Sequence, residues 1–113
     1  MAEEKRAARI AALNDRLRTQ FDLSLGHIMF TDGVNELEPA RKARVLQAVR
    51  TFVSFADDND PYGEHDCAVM AVDGIKIIWK IDYYDLTRRY HSPDASDRNV
   101  TSRVMTIMRA DEY

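Results

Sequence analysis

The sequence predicts an α+β domain in which two amphipathic helices pack on a small, mainly antiparallel sheet with a central β-hairpin. Two stretches, residues 3–21 and 39–56, repeat apolar residues at the spacing of one helix face. Between two runs of β-forming residues, the pair Asp73-Gly74 favours a type I′ turn, which predicts a hairpin over residues 67–84. A chain of 113 residues has the length of one domain, and we predict that residues 1–113 form one.

The first element is a helix over residues 3–21, rich in Ala and Arg. Charged residues occupy one face, and a narrow apolar stripe runs along the other. The stripe consists of Ile10, Leu13, Leu17 and Phe21. Such a stripe packs on the protein's own core more often than on another subunit, but both interpretations stay open, the second being a homo-oligomer joined through this helix.

A strand and the strongest helix of the chain follow. Residues 25–31 alternate, with Ile28 and Phe30 on one face, and they precede the turn pair Asp32-Gly33. Pro39 suits the first position of a helix, which we predict over residues 39–56. Its broad apolar face contains Val45, Leu46, Val49, Phe52, Val53 and Ala56.

The register of the hairpin follows from its turn, because side chains alternate between the two faces of a sheet. Val72 then lies opposite Ile75, and Trp79 and Tyr83 share the apolar face that should be core. On the other face the predicted pairs are Val69 with Ile78, Cys67 with Lys80 and His65 with Asp82.

The C-terminal part of the chain combines a loop with one more element. Residues 85–99 contain the turn sequences Ser92-Pro93-Asp94 and Asp97-Arg98-Asn99, which predict a long irregular connection. Residues 100–108 fit both helical and strand spacing. Their β-branched content favours a strand.

Composition and charge exclude several classes of protein. Hydrophobic residues make up 45% and charged residues 31%, as in ordinary globular domains, and no apolar run is long enough to cross a membrane. Residues 1–50 carry nine Lys and Arg against seven Asp and Glu, and residues 51–113 carry seven against twelve. A net charge of −3 disfavours direct nucleic-acid binding. One cysteine and a start without a signal-peptide pattern predict a cytoplasmic protein.

Residues 57–66, which we call the acidic loop, hold five carboxylates, one histidine and a Pro/Gly turn. The loop follows the predicted second helix, where the helix dipole disfavours negative charge, and such departures from local rules are commoner at functional sites. Tyrosines beside carboxylates offer a large contact area with polar tips. We predict a protein-binding surface formed by Asp57, Asp58, Asp60, Tyr62, Glu64, His65 and Tyr84.

Several blocks of the chain are familiar. They are Leu17-Arg18, residues 31–34, 58–66, 79–85 and 92–94, and residues 101–108 with Glu112-Tyr113. From about Leu13 to the C-terminus, the sequence resembles a small bacterial family known as domain of unknown function 3768. The resemblance implies no biochemical activity. It does imply an accessory protein of plasmids, integrated elements and phages, whose small proteins often counter host restriction or CRISPR systems.

Two enzymatic alternatives use the same region. A nucleophilic thiol site would join Cys67 to His65 and Asp82, but the family pattern usually has an aromatic residue at position 67, and residues two apart on a strand need not converge. A metal site would use His65, Asp66 and Asp82, with His91, because carboxylates and imidazole suit Mg, Mn or Zn. The sequence has no calcium-loop spacing, Gly-rich phosphate loop or serine nucleophile motif.

We therefore predict a non-enzymatic binding protein of a bacterial mobile element, which inhibits a host defence complex as an anti-CRISPR or antirestriction protein. Its acidic, tyrosine-containing surface would block a basic, nucleic-acid-binding site on its protein partner. The alternative is a small metal-assisted enzyme centred on His65, Asp66 and Asp82. No cofactor is predicted.

Overall fold

The computed structural model describes residues 2–113, and Met1 lies outside the described residues. Three helices and a four-stranded sheet form the fold: α1 (Ala2–Gln20), β1 (Gly26–Phe30), α2 (Asp32–Asn35), α3 (Pro39–Thr51), β2 (Cys67–Val72), β3 (Ile75–Tyr84) and β4 (Ser102–Arg109). One-turn 3₁₀ helices occupy Arg98–Val100 and Ala110–Glu112. The strand order is β1-β4-β3-β2, with β1 parallel to β4 and the other pairs antiparallel. The predicted α+β class with a mainly antiparallel sheet is confirmed.

Helix α1 packs its apolar stripe into the core, as the commoner interpretation predicts. Ile10 and Leu17 are buried. The stripe is broader than predicted, because Asn14 and Arg18 are fully buried beside it. The predicted helical position of Phe21 is wrong, since α1 ends at Gln20 and Phe21 has a left-handed φ of 51°.

Helix α3 ends at Thr51, and the predicted extension to residue 56 is wrong. Phe52 is extended, with φ −61° and ψ 129°. The guanidinium of Arg18 donates to the carbonyls of Val49 at 2.8 Å and Phe52 at 2.9 Å, which satisfies acceptors that a continuing helix would have used. The acidic loop is therefore separated from the helix by an extended segment, and its carboxylates do not oppose the helix dipole.

The extended segment that follows α3 covers the core of the sheet. The rings of Phe52 and Phe55 meet the indole of Trp79 edge to face, with centroids 6.2 and 6.1 Å away. Trp79 is fully buried at the centre of the core, as predicted. These contacts place the acidic loop next to the N-terminal helix and the end of the hairpin.

The hairpin has the predicted register from the Val72–Ile75 pair to the Cys67–Lys80 pair. Asp73 and Gly74 both have positive φ, at 52° and 79°, as a type I′ turn requires. The strand predicted over residues 100–108 is confirmed as β4.

The helices cover one face of the sheet. On the opposite face, Met29 of β1 and Val69 of β2 are more than half exposed. Ile78 and Met108 are paired on this same face, in the two central strands β3 and β4. Within residues 2–113, no helix is long and apolar enough to span a bilayer.

Candidate functional site

The acidic loop presents its first two carboxylates to solvent. Asp57 and Asp58 are exposed. The loop is closed by Asn59, whose side chain accepts the Ala56 N–H at 2.7 Å and donates to the Ser54 carbonyl at 2.9 Å. This local closure fixes the backbone around the two exposed aspartates.

Asp60 points inward instead, which is a correction to the predicted surface. The residue is only 7% exposed. Its carboxylate accepts the backbone N–H groups of Glu64 and His65, each at 3.2 Å. An aspartate that binds turn N–H groups in this way has a structural role, because it fixes the path of the loop.

His65 is held by α1, and the predicted His65–Asp82 pair is wrong. His65 has a left-handed φ of 55°, which ends the strand and turns its side chain away from β3. Its Nδ1 lies 3.0 Å from Asp15 Oδ1, and its ring stacks on Phe55 with a centroid distance of 3.9 Å. Asp82 instead accepts a 2.6 Å hydrogen bond from Lys80 Nζ.

A groove of about 410 Å³ separates the acidic loop from the first turns of α1. Tyr62, which is 78% exposed, stands at this groove, and the half-buried Glu64 lines it. Arg6, the basic residue of the lining, is paired with Asp94 at 3.3 Å. We call this the acidic groove; its lining is Glu3, Glu4, Arg6, Ala7, Pro61, Tyr62 and Glu64.

A buried hydrogen-bond network supports the groove from behind. Tyr83 donates to the carboxylate of Glu64 at 2.9 Å, and Asn14 donates to Tyr83 at 2.9 Å. Arg103 donates to the side chain of Asn14 at 2.7 Å and to the Ala95 carbonyl. Burial raises the pKa of Tyr83 well above its usual range, so its hydroxyl stays protonated and donates.

The sequence analysis does not predict the burial of the polar residues Asn14, Arg18 and Arg103. A helical wheel places Asn14 and Arg18 next to Ile10 and Leu17, and that proximity could have identified them as buried. Arg103 shares the inner face of β4 with Met105. Its burial is hard to predict from the sequence, because charged residues are rarely buried.

Asp66, Cys67 and Asp82 of the two enzymatic alternatives line one groove of about 340 Å³, but His65 is not part of its lining. Asp66 is half-buried; burial raises the pKa of its carboxyl, and the charges of Glu64, Asp60 and Asp82 raise it further. Cys67 is exposed on the uncovered sheet face, although partial burial of the thiol raises its pKa. Among residues 2–113, no group of three or more His, Cys, Asp or Glu side chains is placed to hold a metal ion.

Two other predicted residues lie apart from the groove. Tyr84 is half-buried near the end of β3, where it forms an isolated bridge with the exposed His91. Of the seven predicted binding residues, Asp57, Asp58 and Tyr62 are exposed, and Tyr62 and Glu64 line the acidic groove.

A family model described as a protein of unknown function, DUF3768, matches residues 30–112. The chain belongs to the DUF3768 family. Comparison with curated proteins and with solved structures gave no match. The resemblance drawn from the sequence blocks is confirmed over this range, and the Leu17-Arg18 block lies outside it.

The DUF3768 match includes the acidic loop, the hairpin and β4, but it leaves out α1. The acidic groove therefore joins two parts of the chain. Pro61, Tyr62 and Glu64 come from the DUF3768 region, and Glu3 and Glu4 come from the preceding helix. The hydrogen bonds from Asn14 to Tyr83 and between His65 and Asp15 are among the contacts that join the two parts.

Proposed function

We propose that this DUF3768 protein is a non-enzymatic binding protein whose acidic loop and acidic groove together bind a basic surface on a protein partner. The observation that supports this most directly is the exposure of Tyr62 beside Glu64, with Asp57 and Asp58 exposed on the same loop. A tyrosine among carboxylates can pack against an arginine side chain while the carboxylates accept its hydrogen bonds. The buried network behind Glu64 lowers the cost of ordering the groove on binding.

We propose that the partner is a nucleic-acid-binding component of a bacterial host defence complex, and that this protein belongs to a mobile element that the complex attacks. Nucleic-acid-binding sites present Lys and Arg to phosphates, and a carboxylate surface competes for the same cations. Anti-CRISPR and antirestriction activity both fit this chemistry. The support for the host context is the family resemblance, which is an association.

The test is affinity capture from a bacterial lysate with two matched variants. Asp57→Lys/Asp58→Lys reverses the charge of two exposed carboxylates on the acidic loop. The control, Glu36→Lys/Asp111→Lys, reverses the charge of two exposed carboxylates elsewhere on the protein. We expect wild type and the second variant to enrich one nucleic-acid-binding protein, and the loop variant to lose it. Capture that is equal for all three proteins contradicts the proposal.

The captured partner then permits a direct measurement. Purified with its DNA or RNA, it should release the nucleic acid when wild-type protein is added, and the competition should weaken as salt rises. Tyr62→Ala should reduce the competition without changing the thermal unfolding of the protein, because Tyr62 is exposed. Binding that leaves the nucleic acid in place contradicts the decoy mechanism.

A further inference from the structure

A second surface, which shares no residue with the acidic groove, lies at the free edge of β1. The backbone of Leu25 accepts the Arg103 N–H at 3.1 Å, and the Thr31 N–H donates to Ile107 at 3.1 Å. In a parallel pair, every second residue directs both its N–H and its C=O to the neighbouring strand. Between Leu25 and Thr31, the odd-numbered residues therefore bond to β4. The N–H and C=O groups of Gly26, Ile28 and Phe30 therefore point away from the sheet, where an added strand would bind them.

An apolar groove of about 440 Å³ runs beside this edge. Ile28 and Phe30 of β1 form one wall, and Leu46 of α3 faces them. Leu23, at 65% exposed, stands at the rim. We call this the edge groove; Phe21, Gly26 and His27 complete its lining. A strand paired with β1 would place every second side chain in it.

Two cations of α3 stand over aromatic walls of the edge groove. Lys42 Nζ lies 4.9 Å from the centroid of Phe30, and the guanidinium carbon of Arg50 lies 4.9 Å from that of Phe21. Lys42 donates to the side chain of Asn35, and Arg50 donates to a backbone carbonyl. Within residues 2–113, neither forms an ion pair with a carboxylate, so both charges are available to a ligand.

The spacing of these cations matches an extended peptide. Lys42 and Arg50 are eight residues apart on α3, which is about 12 Å along the axis at the usual helical rise. Side chains at positions i and i+4 of an extended strand are about 13 Å apart, and position i+2 faces the same way. Leu46 lies midway between the two cations, where a side chain at position i+2 would point.

We propose that the edge groove binds an extended acidic peptide of a protein partner, with the pattern acidic-x-apolar-x-acidic. The peptide pairs its backbone with Gly26, Ile28 and Phe30. Its apolar side chain enters the groove beside Leu46, and its two carboxylates meet Lys42 and Arg50. Asp22 lies between Phe21 and Leu23 in the sequence, and its ion pair with Arg16 at 2.5 Å offsets the repulsion of an acidic ligand.

The test is selection from a random peptide library displayed on phage, with the purified full-length protein as bait. We expect the enriched peptides to carry the acidic-x-apolar-x-acidic pattern. In NMR titrations a synthetic copy should shift the amide resonances of Gly26, Ile28 and Phe30. A copy that is N-methylated at the amides facing β1 should lose binding, because it cannot pair with the strand.

Single charge reversals, each checked against wild type by thermal unfolding, keep the test independent of folding. Lys42→Glu should weaken binding of the selected peptide by about tenfold, because repulsion replaces attraction at the carboxylate that faces position 42. A peptide with Lys in place of the carboxylate facing Lys42 should recover binding to Lys42→Glu. Lys76→Glu is the matched control, since Lys76 is exposed on β3 and outside the groove, and it should bind as wild type does.

Three outcomes overturn the proposal. One is enrichment of peptides without paired acidic residues. Another is binding that leaves the three β1 amides unshifted. The third is a concentration-dependent dimer of the free protein that Leu23→Asp dissociates, which would assign the edge to a second copy of the chain. Because none of these variants alters the acidic groove, failure here leaves the test of the proposed function unaffected.

Discussion

Single residues in this fold perform tasks that backbone geometry alone cannot. Arg18 is buried, and burial lowers the pKa of its guanidinium, yet it remains a donor to the carbonyls at the end of α3. It also lies 4.8 Å from the ring centroid of Trp79. One side chain thus ends a helix, fills the core and stacks on an aromatic ring. Gly26 has the opposite role: β1 and β4 pack so closely at this position that no side chain fits.

Gly26→Ala should destabilise the protein. A Cβ at this position would lie 1.9 Å from the carbonyl oxygen of Arg103, so β1 must move away from β4. We expect a loss of about 1–3 kcal/mol in the free energy of unfolding, measured by urea denaturation. The amides of His27 and Met29 should also exchange faster with solvent.

Gly63→Ala is the matched control for this prediction. Gly63 has a φ of 69° and open space around its Cβ position, so its substitution costs only backbone strain. The β1 amides should keep their protection in this variant. Equal loss of protection in both variants would show that the Gly26 contact is not what holds β1 in place.

At the level of elements, the hairpin and the acidic loop follow different rules. The hairpin is specified locally, since Asp73-Gly74 sets the turn and the turn sets the register. The acidic loop takes its shape from partners elsewhere in the chain. Asp15 of α1 holds the ring of His65, and the inward carboxylate of Asp60 binds the backbone N–H of the same residue.

Asp60→Ala should loosen the acidic loop. The change leaves the partly buried N–H groups of Glu64 and His65 without an acceptor, at a cost of about 1–3 kcal/mol. Hydrogen exchange at these two amides should accelerate, and urea denaturation should report the lost stability. Asp58→Ala, which removes an exposed carboxylate two residues away, should change stability by less than about 0.5 kcal/mol. Slow exchange at both amides in Asp60→Ala would contradict this role.

The tip of the hairpin should respond to acid through Asp73. A hydrogen bond from Arg44 at 2.6 Å lowers the pKa of this carboxyl in the folded state, and Arg41 adds to the effect. A carboxyl with a lowered pKa stabilises the fold above its ordinary value of about 4, and the contribution disappears as the pH falls below that value.

Asp73→Asn isolates this contribution, because Asn also accepts the left-handed turn position. We expect a lower melting temperature than wild type at pH 7, and the difference should close as the pH is lowered from about 5 to below 4. Melting curves by circular dichroism across this range provide the measurement. A difference that persists unchanged in acid would assign the effect to the turn rather than to the ion pairs.

On the scale of the whole molecule, a polar network joins elements that are far apart in sequence. Asn14 of α1, Glu64 of the acidic loop, Tyr83 of β3 and Arg103 of β4 are connected by hydrogen bonds. Such networks rigidify a protein when their members are satisfied, and they are costly when one member is removed. The acidic groove is built on this network, so its shape depends on the packing of the entire chain.

Tyr83→Phe should reveal the network in its pH dependence. The variant loses the hydroxyl that binds Asn14 and Glu64, and we expect a cost of about 1–2 kcal/mol at pH 7 in urea denaturation. Because burial raises the folded pKa of Tyr83, its contribution is complete below the unfolded pKa of about 10 and falls as the pH rises above it. The difference between wild type and variant should therefore narrow between about pH 9.5 and 11. A constant difference would contradict the buried, protonated phenol.

Sequence reasoning succeeded where structure is local. The hairpin register and the buried Trp79 follow from alternation and turn chemistry, and the strand predicted over residues 100–108 follows from β-branched content. It failed where a distant residue decides. Helical spacing extends to residue 56, but Arg18 captures the carbonyls that would continue α3.

The same limit applies to the candidate site. Alternation along the strand pairs His65 with Asp82, but a single left-handed residue turns the ring to Asp15. The exposure of Asp57, Asp58 and Tyr62 is predicted correctly, because an exposed polar loop can be recognised from its composition. Glu3 and Glu4 were not identified, since only the packed structure brings α1 beside the loop.

The parallel pairing of β1 with β4 has a consequence for the order in which the chain folds. The hairpin closes through two residues and can form within microseconds, whereas β1 must wait for residues near Arg103. Closing so long a segment costs chain entropy that is repaid only after the rest of the sheet exists. We expect β1 to join last, so that β4 keeps an unpaired edge until the end of folding and can pair there with other unfolded chains.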